Sequence, residues 1–202
     1  DLVTSADKES QERIISILTD CFPQIPVIGE EGCEQIRHYP EAFYVDPLDR
    51  TLNFVNKFPF FAVSLGYWKD DEPIAGVVYN PLTKDLFYAQ KGEGAFLNGK
   101  KIRVSATTSV EGSLLVVGFP YQEEGLLKTV EDIKSTMKVT DLRVLGSASL
   151  ELSYTALGVI DGYWEYALSP WDLAGGVVIA QEAGAIVSAP DGGKFDLFKG
   201  DI

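Results

Sequence analysis

The sequence predicts a mixed α/β fold built in two halves, and three observations carry that reading. Between positions 43 and 104, apolar runs of strand length alternate with turn clusters, which is the pattern of an antiparallel meander. From position 105 onward, strand-like runs alternate with helical segments, as in an α/β layer arrangement. The 202 residues are 46% hydrophobic and 23% charged, ordinary for a globular chain and enough for one large domain or two small ones sharing a core. The expected division is 1–104, an N-terminal α+β half, and 105–202, a C-terminal α/β half.

Asp1-Leu2-Val3-Thr4 reads as a short strand or extended segment. Ser5 or Asp7 then caps a helix to Asp20, with Ile14, Ile15 and Leu18 on its apolar face. Phe43-Tyr44-Val45 is a short strand running into Asp46-Pro47-Leu48-Asp49. Residues 60–68 and 74–79 are strands separated by the turn cluster Lys69 to Pro73. A second turn, Asn80 to Lys84, leads into the strand Asp85 to Ala89. Asn98-Gly99 is a strong hairpin signal between Ala95-Phe96-Leu97 and Ile102-Arg103-Val104.

In the second half, 114–118 is a buried-type strand, 122–137 has a weak helical period and 142–145 is a strand. A small-residue helix spans Ser149 to Leu157, followed by the strand Asp161 to Tyr166. Asp172 to Ala183 is a helix ended by Gly184, and Ile186-Val187-Ser188 is a strand.

The net charge of −13 sets the chain against polyanionic partners, both nucleic acid and anionic membranes. It would also repel a phosphate ester unless bound divalent cations reversed the local field. Cys21 and Cys33 form no CxxC pattern, so ordinary thiols are expected rather than a disulfide framework or a zinc site. No apolar run approaches the length of a membrane span, and the first residues lack a signal-peptide pattern, so a cytoplasmic protein is expected.

Four acidic clusters fall at predicted element ends: Asp7, Glu30-Glu31, Asp46 with Asp49, and Asp172. Hard cations take oxygen ligands, and converging carboxylates are costly unless a cation neutralises them. Asp46-Pro47-Leu48-Asp49 is the most informative, because proline fixes the backbone and the spacing lets both acids turn to one side of a bend. The Leu48 carbonyl would be a third oxygen there, and Thr51 would open a helix with free amides suited to a phosphate oxygen. Each cluster alone has an ordinary reading: a solvated turn for Asp46 and Asp49, a strand end for Glu30-Glu31, a helix cap for Asp172.

Taken together, the motifs resemble the inositol monophosphatase family, within the superfamily of lithium-sensitive, magnesium-dependent phosphatases. The resemblance rests on DLVT with Asp7, IGEE at 28–31, DPLDRTLNFV at 46–55 and PWDLAGG at 170–176 followed by Glu182-Ala183-Gly184. FPFFAVSLG at 58–66, KGEGAFLNG at 91–99 and Gly146-Ser147-Ala148 support it. It implies an α/β (α+β) layered sandwich of alternating helices and sheets, like inositol monophosphatase and fructose-1,6-bisphosphatase, with the metal site between the halves. It further implies a homodimer, and an N-terminal helix and a final strand and helix outside this chain.

By the same resemblance, Glu30, Asp46 and the Leu48 carbonyl would hold one magnesium. Asp46, Asp49 and Asp172 would hold a second, with Glu30 sharing a third through water. Glu30, Thr51 and Asp7 would be catalytic, Thr51 passing a proton from the attacking water and Asp7 orienting its hydroxyl. Asp49, Arg50, Thr51, Ala148 and Glu165 would meet the substrate, the amides of residues 50 and 51 gripping its phosphate. The ordinary readings of Glu165 and Ala148 are a solvated strand carboxylate and a packing alanine.

Two departures from the family pattern stand out. Its lysine before the first motif has no counterpart, and Arg50 replaces the glycine after the second aspartate of the bend. Glycine tolerates φ > 0 and close phosphate approach, so the arginine predicts reduced activity. The implied activity is magnesium-dependent hydrolysis of inositol monophosphate or a related small polyol or sugar phosphate. The alternatives are a silent metal- or phosphate-binding homologue, or a fructose-1,6-bisphosphatase, histidinol phosphatase or nucleotide 3′-phosphatase on the same fold. Asn53-Phe54-Val55 is more similar to the inositol branch than to the nucleotide branch.

Overall fold

The computed structural model describes residues 3–202 except 34, 121 and 139, and leaves aside the side chain of residue 124. It is a layered α/β arrangement, as the sequence predicts. The first layer is α1 (Ser5–Cys21), whose N-cap is Thr4: its Oγ1 accepts from Ala6 N while Asp7 Oδ2 accepts from Thr4 N at 2.8 Å. The cap expected at Ser5 or Asp7 is therefore Thr4, with Asp7 as the reciprocal acid of a capping box. Of the expected strand or extended segment at 1–4, residues 1 and 2 lie outside the described residues.

The second layer is a seven-stranded sheet in sequence order: β1 (Val27–Gly29), β2 (Glu41–Asp49), β3 (Ala62–Lys69), β4 (Glu72–Asn80), β5 (Asp85–Gln90), β6 (Gly94–Leu97) and β7 (Lys100–Ile102). β1 pairs parallel to β2 and every later neighbour is antiparallel, so the meander is realised. Asn98 and Gly99 both adopt positive φ, 49° and 82°, the geometry a two-residue hairpin turn needs. α2 (Thr51–Val55) follows β2 directly.

β2 is buried on both faces. Phe43 and Val45 meet Leu18 of α1, whereas Ala42 and Tyr44 join a core with Leu173, Ala174 and Val177 on the opposite face. That face carries the third layer, α5 (Pro170–Glu182) lying across the sheet with α4 (Ala148–Ala156) beside it. The approach of α5 is close: Gly66 and Gly76 are cross-strand partners, and a Cβ on either would come within 2.4 Å of the Ala174 or Gly175 backbone. Trp68 Nε1 locks the contact by donating to the Ala174 carbonyl at 3.0 Å.

The fourth layer is a parallel three-stranded sheet in which β8 (Leu114–Val117) lies between β9 (Asp141–Arg143) and β10 (Gly162–Trp164). α3 (Glu123–Thr136) accompanies it, tied by Tyr166 Oη donating to Asp132 at 2.6 Å. The strand expected at 186–188 is not formed. The segment makes one isolated bridge, Ser188 to Lys194, and Ile186 is 96% exposed, so no neighbour completes a ladder for it among the described residues. Cys21 and Cys33 are free thiols, as expected. No helix among the described residues is long and apolar enough to cross a membrane.

Candidate active site

The Asp46-Pro47-Leu48-Asp49 segment is the end of β2 rather than a turn beyond it. A bulge between Asp46 and Asp49 shifts the register against β3, which is how both aspartates come off the same strand end. Asp46 Oδ1 accepts from the Leu48 amide at 2.9 Å and fixes the bulge from inside. Ser10 of α1 donates to the Pro47 carbonyl at 2.9 Å and holds it from outside.

Arg50 follows with φ 69° and ψ 62°, a left-handed residue between the strand and α2. The position therefore has the backbone geometry glycine would favour, and arginine carries its cost. Thr51 begins the helix, and its Oγ1 donates to Asp7 Oδ1 at 2.8 Å and lies 3.2 Å from the Leu48 carbonyl. With its proton directed at Asp7, the hydroxyl oxygen keeps lone pairs for an incoming donor.

The other acids arrive from separate elements. Glu30 follows β1, and its amide donates to the Val45 carbonyl. Gln11 of α1 clamps the next residue, donating to the Glu31 carbonyl at 2.8 Å and accepting from its amide at 2.9 Å. Gly29 leaves room for that clamp, since a Cβ there would lie 2.2 Å from Gln11 Oε1. Asp172 sits in the first turn of α5, where Oδ2 accepts from the Ser169 amide at 2.7 Å. The helix-cap role thus occupies only one of its two oxygens.

A cavity of about 490 Å³ gathers these groups, lined by Glu30, Asp46, Leu48, Asp49, Arg50, Thr51 and Asp172, and also by Ala148 and Glu165. Neither Asp7 nor Glu31 lines it, and Asp7 reaches it through Thr51. Three residues that the motif reading left without a role support the cavity. Ser147 Oγ at 2.6 Å, and Ser149 through its amide at 2.9 Å and its Oγ at 2.5 Å, all donate to Asp49 Oδ2. Tyr163 Oη donates to Glu165 Oε2 at 2.6 Å. The Ser-Ala-Ser run was the available signal, but nothing in it says which acid the hydroxyls meet.

The electrostatics are those of anions forced together. Burial, then the negative charges of Asp49, Glu30 and Asp172, push Asp46 well above the usual carboxylate range. Burial and Asp49 do the same to Asp172. Glu30 is lifted to about 7 by burial and by Glu31 and Asp49, with a hydrogen bond shared with Asp46 acting against the rise. Asp49 is also raised by burial, opposed by the Ser147 and Ser149 donors and the Arg50 charge. Burial lifts Glu165 to about 7, opposed by Tyr163 and Arg50.

Among the described residues no three of these acids are disposed as a ready chelate. Their charges nevertheless act on one another, and all four carboxylates line one cavity. The donor chemistry fits a hard dication: carboxylate oxygens and a backbone carbonyl, with one oxygen of Asp49 and one of Asp172 outside the hydrogen bonds that fix them. A cation there would offset the repulsion that adds to burial in raising Glu30, Asp46 and Asp172.

The sequence model of the inositol monophosphatase family matches residues 1–202. The Nus factor SuhB of Vibrio cholerae is 40% identical over 205 residues, spanning 100% of this chain and 77% of that protein. The inositol-1-monophosphatase of Synechocystis is 41% identical over 209 residues, spanning 100% of this chain and 71% of its own length. The solved structure of inositol monophosphatase from Anabaena (Nostoc) superposes with a TM-score of 0.92 at 36% identity, over 98% of this chain and 80% of that one.

Proposed function

The chain belongs to the inositol monophosphatase family and is a phosphomonoesterase, and from that premise we propose that it hydrolyses a small polyol or sugar phosphate, inositol monophosphate foremost, in a magnesium-dependent reaction. One observation carries the reading: four carboxylates from β1, β2 and α5 share a cavity with a threonine hydroxyl oriented by a fifth. Glu30, Asp46 and the Leu48 carbonyl would hold one ion, and Asp46, Asp49 and Asp172 a second, with Glu30 available to a third. Two or three magnesium ions, when bound, supply Lewis-acid polarisation of the phosphoryl oxygens and lower the pKa of the attacking water.

The chain's own residues do the rest. Thr51 Oγ1 accepts a hydrogen bond from the attacking water and passes its proton toward Asp7, which holds the hydroxyl in that orientation. The amides of Arg50 and Thr51 grip the phosphate, and Glu165 in the cavity lining receives the hydroxyls of the alcohol portion. Ala148, 3% exposed, lines the same cavity with a small side chain. No covalent phosphoenzyme is needed. The assembly we propose is a homodimer whose partner is the small phosphorylated substrate rather than nucleic acid or membrane.

The test is phosphate release from myo-inositol 1-phosphate, with magnesium titrated from none to several millimolar and Asp49→Asn as control. Magnesium-dependent turnover lost in the variant is the expected result. A folded chain that turns over neither this ester nor a generic phosphate ester is instead the silent metal- or phosphate-binding homologue.

A further inference from the structure

Among the described residues, Glu151 is the one fully buried acid near the cavity to which the reaction above gives no part. It lies in the first turn of α4, and burial, together with the charge of Glu165, lifts its carboxyl to about 8. Oε1 accepts from two amides, Leu145 at 3.2 Å and Gly146 at 2.8 Å. Oε2 is buried without a hydrogen-bond partner among the described residues. A capping acid ordinarily reaches the amide of the N-cap itself, here Ser147. Glu151 reaches past the cap to the two residues before it.

Those two residues begin the segment that carries Ser147 and Ser149, and hence all three donors to Asp49 Oδ2. Asn53 of α2 fixes the segment from the other side, donating to the Leu145 carbonyl at 3.0 Å and to Phe60 at 2.7 Å. Gly146, at φ 94°, is pressed against the Arg50 side chain, so closely that a Cβ would lie 2.7 Å from Nε. The segment is therefore clamped between one buried acid and one amide. Two half-buried amides converging on one oxygen need an acceptor there, because a hydrocarbon in its place would strand both. The segment would then turn to find another acceptor, and the Asp49 donors would move with it.

We propose that Glu151, with Asn53 opposite it, is a positioning residue for metal binding, setting the 145–149 segment so that Ser147 and Ser149 engage one oxygen of Asp49 and leave the other for the ion. The inference rests on the reading of Asp49 as a magnesium ligand. The partnerless Oε2 is consistent with it: an unsatisfied buried oxygen is a poor way to stabilise a helix and a tolerable cost for placing two amides.

The test is magnesium binding to the full chain by titration calorimetry, with circular dichroism to establish folding and thermal unfolding as a separate readout. Glu151→Met removes the acceptor at similar length, and magnesium affinity should fall by roughly 10-fold or more, within the range for residues that orient metal ligands. Glu151→Gln keeps an oxygen for both amides and should bind within about threefold of the parent, since the bonds need an acceptor rather than a charge. Asn53→Ala should weaken binding in the same direction. A lower Tm with unchanged magnesium affinity in Glu151→Met would reduce the residue to a structural one and overturn the proposal. If that variant does not fold, the other two decide: weakened binding in Glu151→Gln, or parental binding in Asn53→Ala, overturns it. Absence of magnesium binding by the parent chain is a different result, which removes the metal reading itself and this inference with it.

Discussion

Thr51 and Asp7 stand 44 positions apart and meet at 2.8 Å, hydroxyl to carboxylate, across the junction of α1 and α2. The same aspartate caps α1 through its other oxygen, accepting from Thr4 N at 2.8 Å and Thr4 Oγ1 at 2.5 Å. Asp7 thus ties the start of the first helix to the group we read as the proton relay. Thr51→Ala should lower kcat by about 10²-fold or more, whereas Thr51→Ser should retain most of it, as expected for a general acid–base contributor. Asp7→Ala should lose comparable activity and also about 1 kcal/mol of stability from the lost cap. Phosphate-release kinetics and thermal unfolding on the three variants separate the two roles.

Arg50 at φ 69° predicts the effect of restoring glycine. A left-handed conformation costs a non-glycine residue roughly 1–2 kcal/mol, so Arg50→Gly should be no less stable than the parent despite the lost side chain. Turnover should rise, because the phosphate can approach a backbone relieved of its Cβ. An Arg50→Gly protein turning over no faster, with magnesium saturating, would sink the argument.

The crowded acids give the metal-free protein an unusual pH dependence. Glu30 and Glu165 are raised to about 7 and Glu151 to about 8, from an ordinary value of 4.5. Between the ordinary value and those raised values the folded state holds more protons than the unfolded state. Stability therefore falls as pH rises through that window, the reverse of a salt-bridged carboxylate. In chelator, Tm should drop steadily from about pH 5 to about pH 8. Magnesium should raise Tm more at the upper end than at the lower, and its binding should release protons. A Tm that rises with pH in chelator would contradict the electrostatics described.

The seat of α5 on the sheet allows no side chain. Gly66→Ala would drive a methyl group into the Ala174 backbone at 2.4 Å, where neither the strand nor the helix can yield cheaply. Overpacking of this kind costs about 1–3 kcal/mol. It should also displace Asp172, two residues before Ala174, and so raise the magnesium concentration needed for half-maximal turnover. Ala75→Gly on the adjacent strand β4, paired with Tyr67 next to Gly66, is the control for strand propensity, and it should leave that midpoint unchanged.

The sequence made the meander readable because each turn is local. Asn98-Gly99 and the Lys69 to Pro73 cluster announce themselves without reference to the rest of the chain. The acids at Glu30, Asp46, Asp49 and Asp172 were legible as motifs, and the cavity collects all four. What sequence could not convey was contact across layers. Nothing in Gly66 or Gly76 says that a helix backbone will rest on them, and nothing in Ser149 or Glu151 says that one holds Asp49 and the other holds the segment. The strand expected at Ile186 failed for the same reason, since a strand is defined by its neighbour and apolar character alone does not provide one.

The placement of α5 also orders events in time. β2 to β7 pair with their neighbours along the chain, so the sheet can assemble from short loops. Asp172 comes in with a helix whose contact to Trp68 spans 106 positions. The repulsion between Asp172 and the acids at the end of β2 is therefore felt only at the docking of that helix, after most of the sheet can already have formed. Refolding of the chelated protein should slow with rising pH at that one step, and salts of divalent cations should act as accelerants of folding before they act as cofactors.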